Sequence, residues 1–294
     1  MKLTNNKNLP NAIVKAIEQN AFSSKGGNRA SVTSLLLPAQ EIVLRERFKS
    51  EMVQDVSDMI NLLFGNAVHD YLERHDDGEQ VEMFVDYEMF GYTISGKVDV
   101  IEGNTLYDYK TAKVNKVIYE DFDDWRKQGM IYAWLLSKNQ IAIDRIKFIA
   151  LLKDWSRYSY VMKTRQDDYY PDSAVYVYEV KVRADDIVKT EEYVTRKIKD
   201  IKRMKEMTVQ QLLDEPLDED FAPVKKYAVM KKGAKRASKV FESKQEAKNF
   251  AKGDMYIEER VEPNMKFEVM CNALQYASKI KNLKEETKSW ESPF

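Results

Sequence analysis

The spacing of apolar residues divides the chain into helical and extended segments. Between residues 55 and 75, apolar side chains recur every three or four positions, which predicts an amphipathic helix, with Ser57 as the candidate cap at its start. After residue 82 the period changes toward alternation, which indicates strands at 83–92, 93–101 and 106–111. Farther along, the same criteria predict a helix at 121–138, strands at 145–153 and 174–182, and a charged helix at 184–207.

The two ends of the chain carry weaker patterns. At the start we expect a short helix at 9–20 with Pro10 in its first turn, a flexible loop at 23–29 and a helical stretch at 31–48. Toward the end, residues 209–223 are typical of an acidic connector, 225–260 of strand, strand, helix and strand, and 264–290 of a terminal helix.

The composition is that of a globular protein without a global charge preference. The 294 residues include 47 Lys and Arg against 48 Asp and Glu, so only local clusters could indicate nucleic-acid binding. The single cysteine, Cys271, excludes a disulfide framework and an all-cysteine metal site. The first residues lack the apolar segment of a secretory leader, and no apolar run approaches the ~18 residues of a membrane span. We therefore expect a cytoplasmic protein.

A predicted β-hairpin carries the candidate chemistry. If Gly103 and Asn104 form its two-residue turn, opposed positions add up to 207, so Asp99 faces Asp108 and Lys97 faces Lys110. Because strand side chains alternate between faces, two acids and one lysine share a face, whereas four apolar or aromatic residues take the other. The first set is Asp99, Asp108 and Lys110; the second is Val98, Val100, Tyr107 and Tyr109.

Two facing carboxylates favour a divalent cation. Held about 5 Å apart across a ladder, they repel each other, and a metal ion between them removes that cost. Mg²⁺ prefers one or two carboxylates with waters and phosphate oxygens. Lys110 could orient or help deprotonate a metal-bound water, or stabilise the charge that develops on a phosphate. The alternative is a solvated, charge-rich hairpin, since Asp-x-Lys is a common string.

Flanking helices place further polar residues near this hairpin. His69 lies on or beside the apolar stripe of the preceding helix, where a hydrogen-bonded core histidine is the alternative to a metal ligand. Gln128 and Tyr132 are four residues apart in the following helix and therefore share a face. A buried Gln needs a partner, which a phosphate, a water or the protein core could provide.

The ordered set of these residues resembles the RecB-like branch of the PD-(D/E)xK nuclease superfamily. The matching motifs, which span about residues 31–153, are Gly65-x-x-x-His69, Ser95-Gly96-Lys97-Val98-Asp99, Asp108-Tyr109-Lys110-Thr111 and Gln128-x-x-x-Tyr132. The resemblance implies an α/β (α+β) fold with a restriction-endonuclease-like core, in which helices flank a mixed central sheet, and a small C-terminal αβ insertion. Together with the pattern of elements, it leads us to expect an N-terminal helical segment (1–54), a nuclease core (55–207), an acidic linker (208–224), a small basic αβ module (225–262) and a C-terminal helix packed back on the core (263–294).

The resemblance also implies a role for each motif residue. Asp99 and Asp108 would bind Mg²⁺ or Mn²⁺ together with the backbone carbonyl of Tyr109, and His69 would be a further ligand or lie beside the ion. Lys110 would be the catalytic lysine. Gln128 and Tyr132 would position the scissile strand.

One departure from the family concerns iron. Many relatives bind an iron–sulfur cluster through one Cys ahead of the His motif and a C-terminal Cys-x-x-Cys-x5-Cys run. Here Cys271 keeps that frame, but Leu274 and Ile280 occupy the next two positions, and no Cys precedes His69. We expect a colourless protein without a cluster, in which Cys271 is a buried small hydrophobe.

The expected activity is that of a Mg²⁺- or Mn²⁺-dependent deoxyribonuclease. We expect an exonuclease in phage or bacterial DNA replication, recombination or degradation; the alternatives are a structure-specific endonuclease and a catalytically silent DNA-binding protein. The expected partners are DNA and phage or host replication and recombination proteins.

Residues 225–252 contain ten Lys or Arg and two Glu, so this stretch is either a DNA-binding surface or a solvated face. Its candidate phosphate-binding residues are Lys225, Lys226, Lys231, Lys232, Lys235 and Arg236.

Overall fold

A computed structural model describes residues 2–21, 27–75 and 81–290. These residues form two compact units, 1–206 and 207–294, which are described separately. Positions 23–26 of the predicted loop lie outside the described residues.

The first unit alternates helices with strands. Its elements are β1 (Lys2–Thr4), α1 (Asn11–Ala21), β2 (Arg29–Ser31), α2 (Ala39–Arg47), β3 (Val53–Asp55), α3 (Ile60–Glu73), β4 (Val81–Met89), β5 (Tyr92–Glu102), β6 (Thr105–Ala112), α4 (Val114–Ile118), α5 (Asp123–Lys138), β7 (Arg145–Leu152), α6 (Arg157–Thr164), β8 (Val175–Lys181) and α7 (Ala184–Lys205). Short 3₁₀ turns at Ser34–Leu36 and Val56–Met59 precede α2 and α3.

A six-stranded mixed sheet organises this unit. The strand order is β2-β5-β6-β7-β8, with β4 paired to β5. The pairs β2–β5 and β6–β7 are parallel, and β4–β5, β5–β6 and β7–β8 are antiparallel. Helix α5 packs on the sheet through a buried stretch at 129–136, in which Trp134 and Leu135 have no exposed surface. The predicted mixed sheet flanked by helices is therefore confirmed.

Two details of the predicted elements are wrong. The stretch 31–48 is not one helix, because Pro38 holds Leu37 in an extended conformation (ψ 158°) and α2 begins only after the proline. Asp55, not Ser57, caps the turn before α3: its carboxylate accepts hydrogen bonds from the Ser57 backbone N–H at 3.0 Å and from the Ser57 hydroxyl at 2.6 Å. These bonds lower the pKa of the Asp55 carboxyl, because they stabilise its ionised form.

The second unit contains a small antiparallel sheet and four helices among its described residues. Its elements are α8 (Val209–Asp214), β9 (Val224–Lys231), β10 (Lys239–Phe241), α9 (Lys244–Phe250), β11 (Met255–Glu262), α10 (Met265–Met270) and α11 (Asn272–Trp290). The strand order is β10-β9-β11, and α11 packs against α8. The predicted strand, strand, helix and strand are all present.

Two other segments of this unit differ from the expected local structure. The acidic connector contains α8, because Thr208 and Gln211 form a capping box that satisfies the first backbone N–H groups. The terminal helix is interrupted at Cys271, which lies buried between α10 and α11. The division into core, linker, basic module and a terminal helix packed on the core stays a prediction. Nowhere in the described ranges is a helix both long and apolar enough to cross a membrane.

Candidate active site

The predicted hairpin forms with the expected register but with a shorter ladder. Val100 pairs with Tyr107, Ile101 with Leu106 and Glu102 with Thr105, and Gly103 takes the positive φ of 54° that a tight turn requires. The predicted pairs Asp99–Asp108 and Lys97–Lys110 are wrong, because the β5–β6 ladder ends at Val100 and Tyr107. Beyond that point β6 keeps its parallel pairing with β7, which extends to Ala112.

A gap opens beside β5 where this ladder ends. Strand β4 occupies one side of β5 from Tyr92 to Val100, so β2 and β6 must share the other side. Because β2 pairs only with Thr93–Ser95 and β6 only with Val100–Glu102, positions 96–99 lie between them. A cavity at this gap is lined by His69, Lys97, Val98, Asp99, Leu106, Asp108, Lys110, Gln128 and Tyr132.

Beyond the end of the β5–β6 ladder, the side chain of Asp99 accepts a hydrogen bond from the β6 backbone. Its Oδ2 accepts a hydrogen bond from the Tyr109 backbone N–H at 2.7 Å, and its Oδ1 lies 3.2 Å from Nδ1 of His69. The hydrogen bond with Asp99 raises the pKa of His69, since the carboxylate favours the charged imidazolium. Asp99 therefore joins β6 and α3 at the cavity. The predicted metal contact of the Tyr109 carbonyl stays a prediction.

Asp108 is a buried acid with an unused oxygen. Its Oδ1 lies 2.8 Å from Nζ of Lys110, and its side chain is 8% exposed. Within the part of the chain that the structure describes, Oδ2 is buried and receives no hydrogen bond. Burial raises the pKa of the Asp108 carboxyl and negative Asp99 adds to the rise, whereas Lys110 opposes it. Such an orphaned oxygen is costly unless a ligand uses it.

Lys110 is held between two acceptors. Besides Asp108, its ammonium donates to Oε1 of Gln128 at 2.7 Å. Gln128 lies one helical turn before Tyr132 on α5, and both side chains face the cavity. Burial and the charge of Asp108 raise the pKa of Tyr132, so its hydroxyl stays protonated near neutral pH. The Gln128 amide therefore fixes the lysine, and the Tyr132 phenol offers a hydrogen-bond donor at the same wall of the cavity.

Two residues of the Ser95–Asp99 motif, Lys97 and Gly96, also contribute to the site. Lys97 lines the cavity. Gly96 lets Tyr132 approach β5, because a Cβ atom at this position would lie 2.5 Å from the Tyr132 ring and 2.9 Å from Val32. In the sequence, both residues could be found only by their position in the motif that ends at Asp99. The contact of Gly96 with Tyr132 depends on how α5 packs on the sheet.

The side chains present fit a hydrated divalent ion better than a closed metal cage. No three His, Cys, Asp or Glu side chains of residues 2–21, 27–75 and 81–290 form a ready-made cluster of metal ligands. Two carboxylates at one cavity, with one oxygen of Asp108 unused, nevertheless match the needs of Mg²⁺, which keeps several waters. The fully buried Cys271 is remote in sequence from this set, in the second unit.

The six candidate phosphate-binding residues all belong to the second unit and fall into two groups. Lys225 and Lys226 lie on β9 and form ion pairs with Glu259 and Glu262 of β11, at 3.2 and 2.9 Å. Lys231, Lys232, Lys235 and Arg236 are exposed at and after the end of β9.

The chain matches no protein-family model and no curated protein. Among solved structures, SSO0001 is 18% identical over 66% of this chain and 84% of its own, with a TM-score of 0.46. LHK-Exo in complex with dAMP is 10% identical over 61% of this chain and 90% of its own, with a TM-score of 0.38. A phage related exonuclease from Haemophilus somnus 129PT is 11% identical over 66% of this chain and 80% of its own, with a TM-score of 0.30. At TM-scores below 0.5 these likenesses carry no functional argument, so the function has to be inferred from the cavity.

Proposed function

We propose that this protein is a metal-dependent DNA nuclease with Asp99, Asp108 and Lys110 at its cleavage centre. The observation that supports the proposal most is the convergence of two carboxylates and an ammonium on one cavity, with Oδ2 of Asp108 buried and unpaired. A solvated hairpin, the alternative reading of the sequence, would leave both acids in water.

Asp99 and Asp108 would hold Mg²⁺ or Mn²⁺, with the Tyr109 carbonyl and His69 as the other proposed contacts. When bound, the ion supplies positive charge and Lewis acidity for phosphodiester hydrolysis. The His69–Asp99 contact orients the carboxylate from α3, and the Tyr109 N–H fixes its second oxygen. Asp99 would therefore already be held in position to bind the ion before DNA binds.

Lys110 and the two residues of α5 would act on the phosphate. The ammonium, fixed by Asp108 and Gln128, places a positive charge where charge develops on a non-bridging oxygen. Tyr132 keeps its proton at neutral pH and can therefore donate a hydrogen bond to the scissile strand. Pre-positioned donors of this kind stabilise the transition state without reorganisation.

The decisive experiment follows DNA cleavage directly. End-labelled single- and double-stranded DNA is incubated with the full chain and Mg²⁺ or Mn²⁺, and product lengths are read over time. Release of mononucleotides from free ends would indicate the exonuclease that the motif resemblance favours. Cleavage of end-blocked or branched DNA would indicate the structure-specific endonuclease. No cleavage with either ion, under conditions where the chain is folded, would contradict the proposal.

A bound divalent ion is expected to stabilise the folded chain even without DNA. At 100 times the dissociation constant, binding to the native state alone adds about 2.7 kcal/mol to the free energy of unfolding. We expect Mn²⁺ to raise the midpoint of thermal unfolding of the native protein and to have little effect on Asp108→Asn. An equal rise in both proteins would place the ion elsewhere.

A further inference from the structure

The hairpin that joins β9 to β10 ends in a cluster of positive charge. We define the basic tip as Lys231, Lys232, Lys235 and Arg236, which are all exposed. The turn is ordered by backbone hydrogen bonds from Ala234 to Lys231 at 3.0 Å and from Ser238 to Val229 at 2.8 Å. The four cations are therefore presented on a formed hairpin.

The cations of the basic tip lack the partners that neutralise other lysines of the same sheet. On β9, Lys225 and Lys226 are paired with Glu259 and Glu262, because the register places β11 glutamates beside them. At the other end of β9 the register places Met255 opposite Lys231. No acidic side chain of the described residues forms an ion pair with any cation of the basic tip, although Asp254 is next to Met255.

Concentrated like charge has a cost that a ligand can offset. The chain is nearly neutral, with a formal net charge of −1, yet this turn carries four cations within six positions. At 0.1 M salt, charges separated by less than about 10 Å are incompletely screened and repel one another. A polyanion that bridges them removes the repulsion and releases its own counterions.

We propose that the basic tip binds the phosphate backbone of DNA through residues other than those that line the cleavage cavity. The choice of DNA as the polyanion rests on the proposed nuclease function. The other residues of the turn are Gly233, Ala234, Ala237 and Ser238, which offer no amide or aromatic side chain to read a base. The contacts that the basic tip offers are therefore mainly those of its four cations with phosphate oxygens. Lys225 and Lys226, candidates on sequence alone, take no part because glutamates already neutralise them.

Two double variants with equal charge change test this assignment. Lys235→Ala with Arg236→Ala removes two cations of the basic tip, and Lys225→Ala with Lys226→Ala removes two paired lysines. Affinity for 30-base-pair DNA is measured by fluorescence anisotropy in EDTA, which prevents metal-dependent cleavage, over a range of salt concentrations. Each phosphate contact contributes about 0.9 to the slope of log affinity against log salt for duplex DNA.

In the basic-tip variant the magnitude of that slope should be smaller by about 1.8. If both proteins bind equally at 1 M salt, this corresponds to roughly 60-fold weaker binding of the variant at 0.1 M salt. The paired-lysine variant should bind like the native chain. Equal slopes for the two variants, or a native slope in the basic-tip variant, would overturn the proposal. A Lys235→Gln and Arg236→Gln variant, which keeps long polar side chains, should repeat the loss if charge is its cause.

Two further arms separate this proposal from the proposed function. If the chain cleaves DNA, the basic-tip variant should show a raised KM for long DNA, whereas the paired-lysine variant keeps the native KM. If the chain does not cleave DNA, the anisotropy result still decides the binding surface. Native-like DNA binding combined with lost binding to phosphatidylserine vesicles would assign the basic tip to a membrane and overturn its assignment to DNA.

Discussion

Replacing Asp108 with asparagine is expected to reduce DNA cleavage by about 10³-fold, similar to the loss of one preorganised group that stabilises a transition state. The substitution keeps the shape of the side chain but removes the charge that would hold the metal ion and pair with Lys110. The measurement is the initial rate of release of labelled nucleotides at saturating Mn²⁺. Lys110→Met should cause a loss of at least about 10²-fold.

Stability separates this loss of chemistry from unfolding. Burial raises the pKa of Asp108, which means that folding penalises its ionised form, so the neutral asparagine should not lower the midpoint of thermal unfolding. Asp167→Asn is the matched control, because it removes one exposed acid at a residue whose positive φ of 56° asparagine tolerates well. Cleavage by Asp108→Asn within tenfold of the native rate would remove Asp108 from the cleavage centre.

Gly96→Ala is expected to destabilise the chain by about 1–3 kcal/mol and to impair cleavage, because it overpacks the wall of the cavity. The added Cβ would lie 2.5 Å from the ring of Tyr132 and 2.9 Å from Val32, so the tyrosine has to move. A displaced Tyr132 shifts the helix surface that presents Gln128, and with it the acceptor that fixes Lys110. Chemical denaturation and the cleavage rate measure the two effects.

Gly65→Ala provides the contrasting control. Its Cβ would lie 3.7 Å from Oγ1 of Thr111, an ordinary contact, and alanine favours a helix interior over glycine by up to about 1 kcal/mol. We expect this variant to be as stable as the native chain or more so, although Gly65 belongs to the His69 motif.

A double variant tests whether Tyr132 causes the effect of Gly96→Ala. In a Tyr132→Ala background the loss of stability caused by Gly96→Ala should be smaller. An undiminished cost would show that the tyrosine is not the obstacle.

Local patterns were sufficient to predict most elements and the chemistry of the hairpin. Alternation of apolar positions and the Gly103-Asn104 turn predict β5, β6 and their register, because both signals depend on neighbours in sequence. The family resemblance carried by the order of the His, Asp, Asp-x-Lys and Gln-x-x-x-Tyr motifs also implies that these side chains belong to one site. The structure places all of them at one cavity, although their roles remain proposals.

Tertiary structure alone decided where ladders end and which charges are neutralised. The predicted Asp99–Asp108 pair is absent because the β5–β6 ladder ends at Val100 and Tyr107, and the Asp99 carboxylate accepts the Tyr109 N–H instead. Lys225 and Lys231 are indistinguishable by composition, yet only the register of β11 brings a glutamate to Lys225. Sequence thus determined which groups are available, since periodicity and turns are local, whereas their partners depended on contacts between distant segments.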